Sequence, residues 1–385
     1  MQTFVFSFDS DTSLPEQLET LIPGRLSAVS DDCPDLIIAF LFPGSPLQFQ
    51  LDALSTFFPD TLLVGATAMR QFSSDKLCDS GCLHFFWFDY PNHHAWVEVV
   101  ECDEKNNLHC QKAINGLKTR QPDTSLLLVD GIRFPVHTLL EKFRHCCGEN
   151  TPQIVGGLAS KTLAPEHYFE DDGAWVFVGS TIYSNAALLI GLQGVDMHVQ
   201  VVRGWEPASP VYTVTQAKEN TLLAIDGIPA VDWYRDFFTL NGMIPEMPAA
   251  SYGFPLIFDG PDPARKGIYR TMVTFDEPPG SVTFAGDIHT GDRIRLGLGN
   301  DDSLVGAAEQ LDLKDAEACL LFSCVVRELV LGDAAEKEIA TLSSKLENTS
   351  LSGFFTFGEI GPSTVGKLGF YNQTSILALL TERVS

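Results

Sequence analysis

Positive charge is scarce in this chain. It has 25 Lys and Arg against 50 Asp and Glu, a formal net charge of −25. Such a surface repels phosphate backbones and anionic lipid, so no nucleic-acid partner is expected. Long apolar runs are missing too. None reaches the ~18 residues that a membrane-spanning helix needs, so no membrane insertion is expected. The opening string MQTFVFSFDSD has no basic segment ahead of its apolar residues and does not read as an export signal. The nine cysteines give no metal spacing: Cys78 and Cys82 are four apart, and Cys146 and Cys147 are adjacent. A C-x-x-C-H string for covalent haem is absent, and spacing assembles no Cys-His-Asp arrangement. The expectation is a cytoplasmic protein with mostly buried, reduced thiols.

What the chain does have is core. Of its 385 residues, 45% are apolar and 19% charged, which speaks against disorder and for more than one ordinary core. Three segments share one plan. DLIIAFLFPG (35–44) leads to TLLVGATAMRQ (61–71), SLLLVDGIRF (125–134) to QIVGGLASKT (153–162), and ACLLFSCVVR (318–327) to LSGFFTFGEIG (351–361). Each opens with an unbroken apolar run, as a strand buried on both faces does. Helical periodicity follows; in the second, Val136, Leu139, Leu140, Phe143 and Cys147 share a face. Each closes with a short strand ending at glycine. Ile37 to Gly65, Leu127 to Gly156 and Leu321 to Gly353 are separations of 28, 29 and 32 residues. This predicts an α/β fold of repeated strand–helix–strand units, set in two mixed α/β domains, 1–219 and 220–385.

Ligands in α/β sheets sit beyond the carboxyl ends of strands, where glycine lets backbone come close. The three closing turns carry Arg70, Lys161 and Glu359 there. With two domains assumed, the loops after Gly65, Gly156 and Gly353 are not expected all on one face. Cys324 ends an apolar strand and Arg327 follows three residues later. Arg327 suits a ligand carboxylate, or an ion pair with Glu359. Cys324 reads as a buried thiol or a thiolate favoured by that cation. Glu359 and Arg327 beside one cavity would suit a zwitterion. Among the histidines, His93, His94, His109, His137, His145 and His289 offer no selected haem ligand. NGMIPEMPAASYGFPLIF (241–258) reads as a pocket lining or as loop packing.

The chain resembles the FIST proteins, sensory proteins with an N-terminal and a C-terminal FIST domain. The likeness rests on TLLVGATA, QIVGGLAS, the junction VVRGWEPASPVYTVTQAKENTLLAIDGIPAVDWY (201–234), LLFSCVVR, GFFTFGEIGP and YNQTSILALL (371–380), whose N-x-T begins at Asn372. Met69 and Arg70 stand where the family often has a Gly-Glu pair. The resemblance implies sensing of a small ligand, with amino acids as proposed ligands, and control of a separate histidine kinase or cyclic-di-GMP enzyme. It implies no enzymatic activity of the chain itself. It leaves haem open as a cofactor and nitric oxide as a signal, since some bacterial relatives use both. Arg70, Lys161, Cys324, Arg327, Glu359 and Asn372 are the candidate ligand-binding residues. An enzyme using Cys324 remains the alternative from another class.

Overall fold

Each of the three apolar runs becomes a strand buried along its whole length. In the computed structural model these are the centres of three sheets with one common plan. The structure describes residues 1–8, 13–22, 29–30, 33–44, 46–74, 76–148, 151–161, 173–242, 251–263, 265–278, 280–314, 316–363 and 366–384. Part of the Met- and Pro-rich string, 243–250, lies outside them.

The first unit runs β1 (Gln2–Phe8), α1 (Leu14–Leu21), β2 (Leu36–Leu41), α2 (Leu47–Phe57), β3 (Leu62–Thr67), β4 (Gln71–Ser73), β5 (Lys76–Cys78) and β6 (Gly81–Trp87). The second repeats the order: β7 (His94–Glu101), α3 (Gln111–Arg120), β8 (Thr124–Val129), α4 (Val136–Cys147), β9 (Gln153–Leu158), β10 (Val176–Val178), β11 (Thr181–Tyr183) and β12 (Ala186–Gln193). The third opens with β13 (Val195–Val202) and then carries an insertion. That insertion holds β14 (Glu206–Pro207), β15 (Tyr212–Lys218), β16 (Thr221–Ile225), β17 (Ile228–Pro229), α5 (Ala230–Leu240), β18 (Leu256–Phe258), β19 (Tyr269–Arg270), β20 (Met272–Asp276), β21 (Ser281–Phe284) and β22 (Arg293–Leu298). The unit resumes with α6 (Asp301–Glu309), β23 (Ala318–Cys324), α7 (Val325–Leu331), α8 (Ala334–Ser344), β24 (Ser350–Thr356), β25 (Glu359–Ser363), β26 (Gly366–Tyr371) and β27 (Ser375–Glu382).

The α/β reading is borne out, and the three strand–helix–strand segments form the parallel pairs β2–β3, β8–β9 and β23–β24. The sheet orders are β1-β6-β2-β3-β10-β11, β7-β12-β8-β9-β25-β26 and β13-β27-β23-β24-β4-β5. Each sheet thus ends in a hairpin made by another unit. β4–β5 leaves the first unit for the third, β10–β11 the second for the first, and β25–β26 the third for the second. Two of these sheets therefore draw strands from both sides of residue 219.

The inner faces of all three sheets share one core. Phe40 of β2 meets Phe354 of β24 with ring centroids 4.7 Å apart, and Leu128, Val155 and Ile190 of the second sheet join the same cluster. His84 of β6 crosses this interior to Ser352 (Nδ1 to Oγ, 2.7 Å) and Ser350 (Nε2 to Oγ, 3.2 Å). Burial pushes its pKa down to about 3, so the ring is neutral. The outer faces bury against helices: α1 and α2 on the first sheet, α3 and α4 on the second, α6 to α8 on the third. On α4 four of the five predicted positions, Val136, Leu139, Leu140 and Phe143, are buried, and Cys147 at the end of the helix is half-buried.

The three glycines sit at matching positions. A Cβ on Gly65, Gly156 or Gly353 would lie 2.0, 1.9 or 1.9 Å from the carbonyl oxygen of Ala39, Leu127 or Leu321 on the adjoining strand. On Gly353 it would also meet the Phe72 ring at 2.4 Å, from the incoming hairpin. Gly353→Ala is therefore expected to cost at least the ~1–3 kcal/mol typical of overpacking, read as a lower urea midpoint. Gly306→Ala in α6, where a methyl meets nothing within 4 Å, should instead stabilise by roughly 0.5–1 kcal/mol. Equal effects from the two substitutions would contradict the close approach.

Candidate functional site

Exchange of the hairpins brings the three strand ends together, which corrects the expectation that their loops do not share a face. Ser160 stands between them. Its N–H donates to Thr67 O (3.1 Å), its hydroxyl donates to Phe355 O (2.5 Å), and its oxygen accepts from Met69 N–H (3.1 Å). Phe355 N–H donates to Arg70 O (3.1 Å), and Leu158 N–H to Gly358 O (2.9 Å). The expectation failed because it assigned each loop to the domain its sequence position suggested, whereas the hairpins cross between sheets.

Glu359 begins β25 and is fully enclosed, at 0% exposure. Thr356 donates its hydroxyl to Oε1 (2.6 Å), and Thr374 donates both its N–H (3.2 Å) and its hydroxyl (2.8 Å) to Oε2. Burial pushes the Glu359 carboxyl up to about 8, against these bonds and one with the Cys324 thiol, which favour the anion. Cys324 is itself buried. Burial first, and Glu359 second, push its thiol well above the usual range. A thiol so held is protonated and a poor nucleophile.

Arg327 is also fully buried, but it pairs with Glu338 rather than Glu359. Its remaining donors reach the carbonyls of Arg203 (2.5 Å), Leu304 (3.4 Å) and Gln373 (3.5 Å). Asn372 is 1% exposed, and its Oδ1 has no partner among the described residues. The structure thus gathers Cys324, Arg327, Glu359 and Asn372 around the turn 372–374. Arg70 lies alongside, bonded to Asp79 (2.8 Å) and to Glu328 of α7 (2.7 Å). Lys161 is buried beside Ser160 and packs against Gly173. Sequence reasoning missed Gln373. It is buried with φ +60°, a conformation L residues seldom adopt, and its carbonyl also accepts the Trp205 indole (2.7 Å).

The cavity lies elsewhere. A cleft of about 730 Å³ opens between α4, the β25–β26 hairpin and the insertion. Arg270 lines it at 2% exposure, donating to Asp287 Oδ1 (2.7 Å) and to the carbonyls of Tyr269 (3.0 Å) and Phe370 (3.3 Å). Burial would raise the Asp287 carboxyl, but Arg270 and Arg265 outweigh it and hold the group well below the usual range. His137 packs edge-on against Phe370, centroids 4.7 Å apart. Burial first, then Arg270, push its pKa down to about 4. Arg144 and Glu141 on exposed turns of α4, with Asp262 opposite, put both charge signs on the walls.

The histidines of the cleft do not fit an axial haem ligand. His137 Nε2 is enclosed by protein, and His289 turns its Nε2 to Asp287 Oδ2 at 3.4 Å. His84 is taken by its two serines and His93 by Glu382 (2.7 Å). Among the described residues, no group of three His, Cys, Asp or Glu side chains is placed to hold a metal ion. Nor is any helix among them long and apolar enough to cross a membrane.

Comparison with known proteins decides the family. Residues 35–228 match the FIST N domain and residues 230–362 the FIST C domain. The chain belongs to the FIST family. Two curated relatives, uncharacterized proteins of Mycobacterium bovis and Mycobacterium tuberculosis, are each 26% identical over 279 residues, which is 68% of this chain and 68% of theirs. FIST domains are sensory modules of signal transduction that bind small ligands, rather than catalytic domains.

In this FIST protein the buried carboxyl of Glu359 makes stability depend on pH. Its folded pKa of about 8 lies above the ordinary 4.5, so the folded state holds the proton more tightly. The associated stability is complete below the lower value and is lost as pH rises through the higher one. Glu359→Gln removes this titration. Urea unfolding at about pH 5 and about pH 9 should show wild type losing on the order of a few kcal/mol relative to the variant as pH rises. A constant difference between the two would contradict the enclosed, protonated carboxyl.

Proposed function

We propose that this protein is a cytoplasmic small-ligand sensor that controls a separate signalling protein, such as a histidine kinase or a cyclic-di-GMP enzyme. Its ligand occupies the cleft between α4, the β25–β26 hairpin and the insertion. The observation that carries this reading is the hairpin itself. Phe370 lines the cleft, and the paired strand begins at Glu359, in the buried centre where the three sheets meet. A ligand that moves the hairpin therefore bears on Glu359, Thr374 and the start of α7 together. Cys324, Arg327, Glu359 and Asn372 are assigned to this relay, with Arg70 and Lys161 at its margin.

Both charge signs on the walls suit a ligand that carries both, as an amino acid does. The size falls within the ~300–1,000 Å³ usual for small-ligand sites. The buried, protonated Cys324 argues for sensing over thiol chemistry.

The test is capture from a low-molecular-weight cell extract, read by native mass spectrometry. Wild type and Arg120→Ala, whose guanidinium pairs with Glu98 at the surface (3.1 Å), should retain the same species. Arg144→Ala, altered only at an exposed position of the cleft, should lose most of it. Equal retention by all three proteins would remove the cleft as the ligand's seat.

A further inference from the structure

The cleft is bordered by the edge of a sheet. β26 is the last strand of its sheet, paired with β25 and with no further strand among the described residues. Its residues Gly366, Leu368, Gly369 and Phe370 contribute atoms to the cleft lining. An edge strand leaves every second residue's N–H and C=O without a ladder partner.

The outward rungs can be identified. Phe370 O accepts from Arg270 of the insertion at 3.3 Å, so Phe370 turns its backbone away from β25. Gly369 pairs with Gly361, and the register then slips: three residues of β25, Gly361 to Ser363, oppose four of β26, Gly369 to Gly366. One residue of β26 in that stretch is left over, as at a β-bulge. Strand alternation and the bulge both leave Leu368 unpaired with β25. Its side chain is buried at 3% exposure, so its backbone is what it offers the cleft.

We propose that the ligand of this cleft is a short extended peptide, held as an added strand along β26 by its own main chain. This rests on the cleft being the ligand's seat. Main-chain bonds to an edge strand give affinity with little demand on sequence, and side-chain pockets supply selectivity. Arg270 already takes the Phe370 carbonyl, so the open stretch runs from Gly366 to Gly369, roughly 10 Å at ~3.3 Å per residue, room for about three residues. The exposed charges of the α4 wall complement such a peptide's termini: Arg144 suits a terminal carboxylate and Glu141 a terminal amine.

The test uses the full chain and a random tripeptide library with free termini. Hydrogen exchange with the library should slow at the backbone amides of residues 366–370 by at least about tenfold. A second library, N-methylated at alternate residues, removes the peptide's donors to the edge strand and should bind about tenfold or more weakly. Equal binding by the two libraries, or unchanged exchange at residues 366–370, overturns the peptide inference. If an extract ligand is still captured by wild type and lost in Arg144→Ala, the cleft reading stands and the peptide alone is wrong. If Arg144→Ala retains that ligand, the cleft reading fails with it.

Discussion

A strand pair closed by a hairpin from another part of the chain cannot form alone. Here that holds three times in a circle. β3 waits for β10, β9 for β25, and β24 for β4. Unfolding one unit would strip an edge from a second sheet and leave its own sheet with a foreign hairpin unpaired. An exposed row of backbone donors and acceptors is costly inside a packed core. The three sheets are therefore expected to melt as one body. The glycines are what the exchange demands locally. At Gly353 the incoming Phe72 ring and the Leu321 carbonyl already fill the space of a side chain.

The same exchange explains why a carboxyl is buried at the centre. β25 starts where three strand ends converge, and its first side chain has no route to solvent. Two threonines and a thiol supply its hydrogen bonds. They make the site tolerable without neutralising a charge, because the Arg327 guanidinium belongs to Glu338. In the proposed relay, movement of the hairpin changes how tightly this carboxyl, whose pKa burial raises to about 8, holds its proton. The opposite strand of that hairpin is the edge of the cleft.

Much of this was legible in the sequence. The apolar runs 36–41, 124–129 and 318–324 announced buried strands, and the near-equal spacing to Gly65, Gly156 and Gly353 announced a repeated unit. The glycines around Glu359 marked a place where backbone runs close, but the string suggested a carboxylate facing a ligand or Arg327, whereas the structure encloses it between Thr356 and Thr374. The partner of each hairpin was not legible. Short strands such as QFS and VFV carry no information about which sheet will take them. That choice is made by tertiary packing, and it moved the three loops onto one centre. The cleft was equally hidden. Arg270, Asp287 and Phe370 lie far apart in the chain from His137 and Arg144, and only the docking of the insertion brings them together. Gln373 gave a weak signal at best, since a left-handed, buried glutamine looks in sequence like any other.

Coupling between the cleft and the buried centre is the claim on which the sensing account turns. Such coupling is reciprocal: if occupancy changes the affinity of Glu359 for its proton, the proton must change the affinity of the cleft for its ligand. The direct measurement is calorimetric affinity for the captured ligand on either side of pH 8, in wild type and in Glu359→Gln. A change of several-fold across that range in wild type, and a flatter profile in the variant, is the predicted result. Parallel profiles in the two proteins would mean that the hairpin does not join the cleft to Glu359.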